Sequence, residues 1–513
     1  MIVLTTINAK WIHPSLALRL LKANLGALEE SCEIIEFALR QPLAEKVEPL
    51  LTLKPRILGV SVSIWNHLAA LELLGELEKC WAKDPSLAEK PVIVLGGPEV
   101  SHLPPESSIF KYADYVIRGE GEEAFRTLCE NIILNGYQKV EARTQTGIGS
   151  GWLVKNYADS GLAANIKSAY HLYTDEDVSK KLIYVESSRG CPFNCEFCLS
   201  AVKDGAGKGS AVREFPLEKF LAEMDILIQR GVKTFKFLDR SFNVNVKRAV
   251  KIAEFFLTRI DQLNSSVSQR HCVNPSLNNV PFTVHFEMVP SVFPPELIDT
   301  LSRFPPGTLR LEIGIQTLNL ETAARIGRHC DPEKELETLR LLREKTNAVI
   351  HADLIAGLPG EDLVSFGQGF DRLWLALNDT GGTACEFSQK YFNRDENDRI
   401  NQHRIEIQLG ILKLLPGAPL SRHTAEFGMR YNPQPPYEIE ETACISGEDI
   451  RRIKNFARFW EMIVNRDLVN FKTYEPVFNL FMALSDSLYD FFGRNWGIDK
   501  TELLERIKNT FHR

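Results

Sequence analysis

Along residues 1–140 the hydrophobic positions fall in short continuous runs, "MIVLTTI", "CEIIEFAL", "ILGVSVSI", "VIVLGG" and "YVIRG". Between them lie segments of helical periodicity, one from about Ser15 to Glu30 and one from His67 to Lys83. Strands that are apolar throughout, rather than alternating, are buried on both faces. With amphipathic helices between them they predict a doubly wound parallel sheet. Ligands of such sheets sit at the carboxyl ends of the strands. Here those ends carry Thr5, Thr6 and Asn8, then Ser61, Ser63 and Trp65, then Gly96, Gly97 and Pro98. Small, polar, glycine-bearing turns admit a ligand close to the backbone, although each alone also reads as an ordinary strand-to-helix connection.

Residues 141–181 lose the periodicity and gain Gly, Ser, Asn and Asp, as a linker would. A second β/α series spans residues 182–425, with strands in "LIYVESS", "TFKFLD", "FTVHFEMV", "RLEIGIQ", "VIHADLIAG" and "IEIQLGILKLL". Helical stretches such as Leu217 to Arg230 and Asp331 to Thr346 separate them. Six strands in this alternation predict a partial or full parallel barrel, whose chemistry gathers at the strand carboxyl ends. Residues 426–513 turn to proline-rich loops and then to helices, with Ser446 placed as a helix start. The expected fold is α/β: a doubly wound Rossmann-like domain, a barrel, and a mainly helical C-terminal domain.

A chain of 513 residues accommodates about three domains. Its 44% apolar and 25% charged content is that of a folded soluble protein. A net charge of −7 argues against a large nucleic-acid surface. The basic cluster Arg451, Arg452, Lys454 and Arg458 reads as a solvated helix face. No apolar run reaches the roughly 18 residues of a membrane span, and "MIVLTTI" passes into polar "NAKW" without a cleavage pattern, so a cytoplasmic protein is expected.

Ten cysteines are too dilute for a disulfide scaffold, yet three of them gather in "RGCPFNCEFCLSA" as Cys191, Cys195 and Cys198. Thiolates at such spacing hold zinc or an iron-sulfur cluster. A closed zinc site needs a fourth ligand, and the next cysteine, Cys272, stands far downstream in a polar stretch. A 4Fe-4S cluster on three cysteines leaves one iron open to an outside ligand. Simple packing of the three fits poorly with Pro192, Asn194 and Glu196 between them. Two further charged residues, Glu287 and Glu312, sit on otherwise apolar strands and require partners or a ligand there. His351 and Asp353 share one strand face and read as a structural pair.

Cys191-x3-Cys195-x2-Cys198, with Phe197 before the last cysteine, resembles the signature of radical S-adenosylmethionine (radical SAM) enzymes. In that family the open iron is chelated by the amino and carboxylate groups of S-adenosylmethionine, which one electron cleaves to a 5′-deoxyadenosyl radical. The resemblance implies that Asp239, in "FKFLDRSFNVN", reaches the methionine amino group. It places "RLEIGIQTLN" at the family's fourth-strand motif, with Gln316 and Thr317 where Glu-Ser is usual. "LIAGLPGE", with Gly357, Pro359 and Gly360, matches near the adenine side. "WIHPSLALRLLKANL", "GVSVSIWN", "VIVLGGPEVS" and "DYVIRGEGEEAF" resemble the cobalamin-binding domain that precedes this barrel in one class. The Asp-x-His-x-x-Gly loop of many cobalamin domains does not occur, since neither Asp84 nor Asp114 is followed by x-His, so a bound cobalt would lack a histidine ligand. The tail resembles a C-terminal domain of unknown function (DUF4080-like) attached to a cobalamin-dependent subfamily. The resemblance implies a 4Fe-4S cluster, S-adenosylmethionine and cobalamin as cofactors, a flavodoxin or ferredoxin as electron donor, and C-methylation of a small molecule, lipid or peptide. Radical cyclisation or rearrangement with the same cofactors, and a non-catalytic cobalamin and cluster sensor, are the alternatives.

Overall fold

The computed structural model describes residues 1–83, 90–135, 152–155, 166–201, 211–268, 280–378, 405–469 and 476–511. Asp84, Cys272 and much of the expected linker fall outside them. The chain divides into two compact units: Met1–Gly190 with Lys203–Leu238 and Gln434–Pro436, and Cys191–Val202 with Asp239–Pro433 and Tyr437–Arg513.

In the first unit, β1 (Ile2–Asn8), β2 (Cys32–Ala38), β3 (Ile57–Ser61), β4 (Val92–Gly96), β5 (Tyr115–Arg118) and β6 (Trp152–Lys155) form one parallel sheet in the order β2-β1-β3-β4-β5-β6. Alternate residues feed opposite cores. Val3, Leu58, Val60, Ile93 and Leu95 pack with Leu73, Leu74 and Leu77 of the helix His67–Lys83. Ile2, Leu4, Ile57 and Val94 pack with Leu18, Phe125 and Cys129 of the helices Leu16–Ala23 and Glu122–Asn135. Continuous apolar strands are thus a consequence of two covered faces.

Two local expectations are corrected. The helix read to Glu30 ends at Ala23, because Gly26 takes φ +61 and the chain tightens into a 3-10 helix, Gly26–Ser31. The stretch read as a linker supplies β6, which pairs with β5, and a helix, Asp175–Lys180, that opens with a capping box on Thr174. Asp177 of that helix binds Arg19 at 2.7 Å, a buried ion pair that fastens it to the sheet domain.

The same unit holds β7 (Ile183–Val185), a two-residue ribbon of β8 (Ser188–Arg189) and β9 (Arg213–Glu214), and β10 (Thr234–Phe237), which pairs in parallel with β7. Arg189 lies two residues before Cys191 and is gripped by Glu122 and Glu186, each at 2.7 Å.

In the second unit, β11 (Thr283–Met288), β12 (Leu309–Gln316), β13 (Val349–Ala356) and β14 (Ile405–Ile411) follow one another in parallel. β12 alternates strictly between buried and half-buried residues: Leu309, Leu311, Ile313 and Ile315 are buried, and Arg310, Glu312, Gly314 and Gln316 line the other face. The six expected strands of the second series are all present, and the protein is α/β throughout.

The C-terminal helices share the core of the barrel helix Leu363–Asn378. Phe370 and Trp374 on that helix meet Trp460 edge-on, with ring centroids 4.9 and 5.1 Å apart, and Phe456 stacks on Trp460. Phe478 and Phe481 of the helix Phe478–Phe492 close the cluster. Asp371 accepts from the backbone N–H of Val477 and Phe478 at 2.6 and 2.8 Å, satisfying donors at the start of that helix. Buried Asn465 donates to Ile407 O at 3.0 Å, tying the tail to β14. Ser446 caps its helix as expected, bonding Asp449 N.

Phe456→Ala should therefore cost about 3–5 kcal/mol. In urea unfolding followed by tryptophan fluorescence the midpoint should move to lower urea, since Trp460 and Trp374 report on this cluster.

Candidate active site

The strand order places the topological switch of the first sheet between β1 and β3, where the crossovers leave to opposite faces. Asn66 organises this crevice. It receives Ser63 N–H at 2.8 Å and donates to Ile7 O at 2.9 Å and Thr6 Oγ1 at 3.2 Å, joining the carboxyl ends of the two strands. Thr6 Oγ1 donates to Ser61 O at 2.9 Å, Thr5 Oγ1 to Ile35 O at 2.8 Å, and Asn8 Nδ2 to Glu36 at 3.0 Å. These side chains are engaged in holding the edge together. Gly97 has φ +102, and a Cβ there would overlap Val62 O, so the loop after β4 can lie against β3 only with glycine. Gly96 is half-buried beside it and Pro98 is exposed. His67 and Glu99, both buried, pair at 2.8 Å beneath this edge. On the same edge, in the loops after β1 and β3, Trp11 and Trp65 are 47% and 53% exposed, with Leu68 next to Trp65. An edge of fixed polar turns flanked by standing indoles suits a broad, partly apolar ring system. Cobalamin fits that description.

The second site is built around the cysteine loop. Cys191, Cys195 and Cys198 are half-buried and near enough to raise one another's charge cost. Burial pushes the Cys191 and Cys195 thiols up; the Ser241 hydroxyl pulls Cys191 down and Arg328 pulls Cys195 down. A metal cluster reverses the burial effect by taking the thiolates directly, releasing their protons.

Ser241 is placed by the loop after β10. Asn243, fully buried, donates to Val289 O and Val292 O at 2.9 and 2.6 Å and accepts from Val289 N at 2.8 Å. Phe242 stacks on Phe286 with centroids 3.9 Å apart. Asp239, in the same loop, is buried.

Arg328 is the residue the sequence reading passed over. Its charge lies close enough to the Cys195 thiol to pull it down, and its Nη2 donates to Gly314 O at 2.8 Å and to Glu335 at 3.2 Å. Its Nε is buried and has no acceptor among the described residues. A guanidinium beside the cysteine loop with a spare donor fits a cluster whose ligand carries a carboxylate.

The strand end opposite is equally particular. Gln316 takes φ +69, a left-handed conformation that favours glycine, and its side chain folds over Gly314, where a Cβ would overlap Gln316 Nε2. Thr317 Oγ1 donates to Glu361 Oε1 at 2.7 Å. Glu361 is 2% exposed, its Oε2 has no partner among the described residues, and burial pushes its carboxyl up to about 7. Gly357 has φ +89 and lies against Ile439, and Pro359 O accepts from Arg325 at 2.7 Å. Glu312 pairs with His285 at 3.1 Å in mid-strand, and Glu287 stands beside it in register on β11. His351 finds its partners on β14, Glu406 at 3.1 Å and Gln408 at 2.7 Å.

Residues 185–372 match the Radical SAM superfamily and residues 2–129 the B12 binding domain. An uncharacterized methyltransferase of Pyrococcus horikoshii, PH0819, is 30% identical over 178 residues, 33% of this chain and 37% of that protein. The 2-(S-pantetheinyl)-carbapenam-3-carboxylate methyltransferase of Streptantibioticus cattleyicolor is 23% identical over 353 residues, 65% of this chain and 47% of its own length. The chain thus spans less than half the length of these two relatives. Among solved structures, the cobalamin-dependent S-adenosylmethionine radical enzyme OxsB superposes with a TM-score of 0.62 at 15% identity, covering 99% of this chain and 74% of OxsB. The radical S-adenosylmethionine methyltransferase TsrM of Kitasatospora setae, solved with cobalamin and a 4Fe-4S cluster, gives 0.55 at 19%, covering 87% and 82%. At these identities the likeness is one of fold.

The chain thus carries a radical SAM domain with a B12-binding domain ahead of it. The first of these domains implies a 4Fe-4S cluster and S-adenosylmethionine as cofactors, and the second implies cobalamin.

The raised Glu361 carboxyl carries a pH signature. Its folded value lies above the ordinary one, so its contribution to stability is full below about pH 4.5 and is lost as the pH rises through about 7. Glu361→Gln keeps the protonated shape. It should match the wild type near pH 5 and exceed it near pH 8 by on the order of 2–3 kcal/mol in denaturant titrations.

Proposed function

We propose that the protein is a cobalamin-dependent radical SAM methyltransferase that adds a methyl group to carbon in a small-molecule, lipid or peptide substrate, with a flavodoxin or ferredoxin as electron donor. The observation that carries the reading is Arg328: a cation with a buried, unfilled donor against one of three clustered cysteines, in a chain that also has a B12-binding domain. Bound together, the cofactors supply reductive cleavage of S-adenosylmethionine and a transferable methyl group.

The side chains have the following parts. Cys191, Cys195 and Cys198, as thiolates, hold three irons. Ser241 orients Cys191 through its hydroxyl. Arg328 takes the methionine carboxylate and Asp239 its amino group, two charges that fix the cofactor's orientation. Gln316 and the Thr317–Glu361 pair close the end of β12, and the Gly357 to Gly360 turn borders the adenine side. Thr6, Asn8, Ser61 and Ser63 shape the crevice over which Trp65 and Trp11 cover a corrin ring, and Gly96, Gly97 and Pro98 form its far wall. Glu312, paired with His285, belongs to the barrel face that meets the substrate. The basic run on the C-terminal helix is mostly engaged: Arg452 binds Asp486 at 2.8 Å, Lys454 binds Glu438 at 2.8 Å, and Arg458 donates to Asn495 O. That weighs against nucleic acid as the substrate. Among the described residues no helix is long and apolar enough to cross a membrane, and a reducible thiolate cluster suits the cytoplasm.

The test is anaerobic reconstitution with iron, sulfide and hydroxocobalamin, then S-adenosylmethionine and a reductant. Protein-bound corrinoid and 5′-deoxyadenosine are expected together, and the Cys191→Ala, Cys195→Ala, Cys198→Ala triple variant should keep the first and lose the second. Iron and sulfide retained by that variant would sink the assignment. Corrinoid without deoxyadenosine in the wild type, with the cluster intact and reduced, would favour a sensor.

Arg328→Met should leave the iron content unchanged and weaken S-adenosylmethionine binding about tenfold or more, read by equilibrium dialysis, because a charge-assisted bond is worth roughly 1.5–3 kcal/mol.

A further inference from the structure

Glu196 sits between the second and third cysteines of the loop, and no motif assigns it a role. It is bonded through both its side chain and its backbone. Its carboxylate accepts from His423 Nε2 at 2.9 Å and from Arg422 through Nε at 2.9 Å and Nη2 at 2.5 Å. Its backbone N–H donates to Ile326 O at 2.9 Å, and its carbonyl accepts from Leu420 N at 3.1 Å. All four polar atoms of one residue are thereby taken up by two segments, the turn after the helix Leu320–Arg325 and the short helix Pro419–His423 that follows β14.

The contact continues beyond the loop. Gly327, at φ +67, lies so close to Asn194 O that a Cβ there would stand 2.8 Å from it. His423 is buried and packs its ring 6.0 Å from Phe427, and the Arg325 guanidinium lies 4.8 Å over the same Phe427 ring. Arg325 in turn donates to Pro359 O, and a Cβ on Gly360 would overlap both Arg325 and Phe427. A single strut runs from the cysteine loop through residues 419–427 to the Gly-Leu-Pro-Gly turn.

We infer that Glu196, with His423 and Arg422, is a clamp that holds the cysteine loop in its cluster-binding shape, so that the segment after the barrel, beyond the Radical SAM match, is part of the cluster site. The inference rests on the reading of Cys191, Cys195 and Cys198 as cluster ligands. Physically, a loop of three thiolates without a fixed frame loses backbone entropy each time it closes on a cluster. A frame made of one carboxylate, two cationic or polar donors and two backbone bonds removes that cost beforehand, as outer-shell partners do for metal ligands generally. Glu196, His423 and Arg422 are positioning residues: they act through the loop and touch no iron.

The experiment is iron release to a chelator from the anaerobically reconstituted full chain, in the wild type and in Glu196→Gln, Glu196→Asp and His423→Gln, alongside thermal melting of each cluster-free protein. Glu196→Gln and His423→Gln should release iron about tenfold faster or more, with Glu196→Asp closer to the wild type because the charge is kept. The melting temperatures of the cluster-free proteins should stay together, since Arg422 is 63% exposed and the carboxylate loses little packing. Release within twofold of the wild type, or faster release that merely follows a drop in melting temperature, would overturn the clamp while leaving the cluster assignment standing. A wild type that assembles no cluster would overturn both.

Discussion

A parallel strand can be followed by another parallel strand only after the chain has crossed back over the sheet, and this constraint organises both halves of the molecule. It gathers every strand's carboxyl end on one edge and hands each end to a loop. In the first unit that edge carries the Asn66 network, Gly97 and the exposed indoles. In the second it carries Gln316, Thr317, Glu361 and the turn from Gly357 to Gly360, with the cysteine loop fastened beside Gly327. Chemistry that needs several polar groups around one ligand is then assembled from residues far apart in sequence.

The loops are held by two different physical means. Around the β1 and β3 ends the work is done by neutral side-chain bonds to backbone, which fix shape without charge. Around the cysteines it is done by charge-assisted pairs, Arg328 with Glu335, where low solvent access strengthens the bond, and Glu196 with the more exposed Arg422. A negatively charged cluster favours such cations nearby, whereas a large, nearly neutral ring gains more from apolar cover. The Nε of Arg328 and Oε2 of Glu361 are among several buried side-chain atoms with no partner among the described residues, and these two lie beside the cysteine loop and the end of β12.

Much of the architecture was legible in the amino-acid order. Continuous apolar runs marked buried parallel strands, and the cysteine spacing marked the loop proposed to hold the cluster, because both depend on local pattern. What escaped detection depends on partners distant in sequence. Asn66, Asn243 and Arg328 look like ordinary polar residues until the fold delivers carbonyls or a thiol to them. The helix read to Glu30 failed at Gly26, a left-handed glycine that periodicity does not weigh. The linker reading failed at Asp175–Lys180 because a short capped helix is stabilised by a single buried pair, Arg19 with Asp177, rather than by its own periodicity. Thr6 and Asn8 were legible as polar strand ends, yet their bonds are spent on the sheet itself.

The aromatic cluster shared by the barrel helix Leu363–Asn378 and the helices Gly447–Trp460 and Phe478–Phe492 bears on how the chain is made. On a ribosome the barrel helix is completed about a hundred residues before Phe478, its last aromatic partner among the described residues. At about 5–20 residues per second that interval is on the order of ten seconds. Through most of it Phe366, Phe370 and Trp374 lack the cover of Phe456, Trp460 and Phe478, so the nascent barrel presents a sticky stripe until its own tail arrives. A holding chaperone has its clearest landing place there, and a stop codon ahead of Phe456 would leave that stripe without those partners.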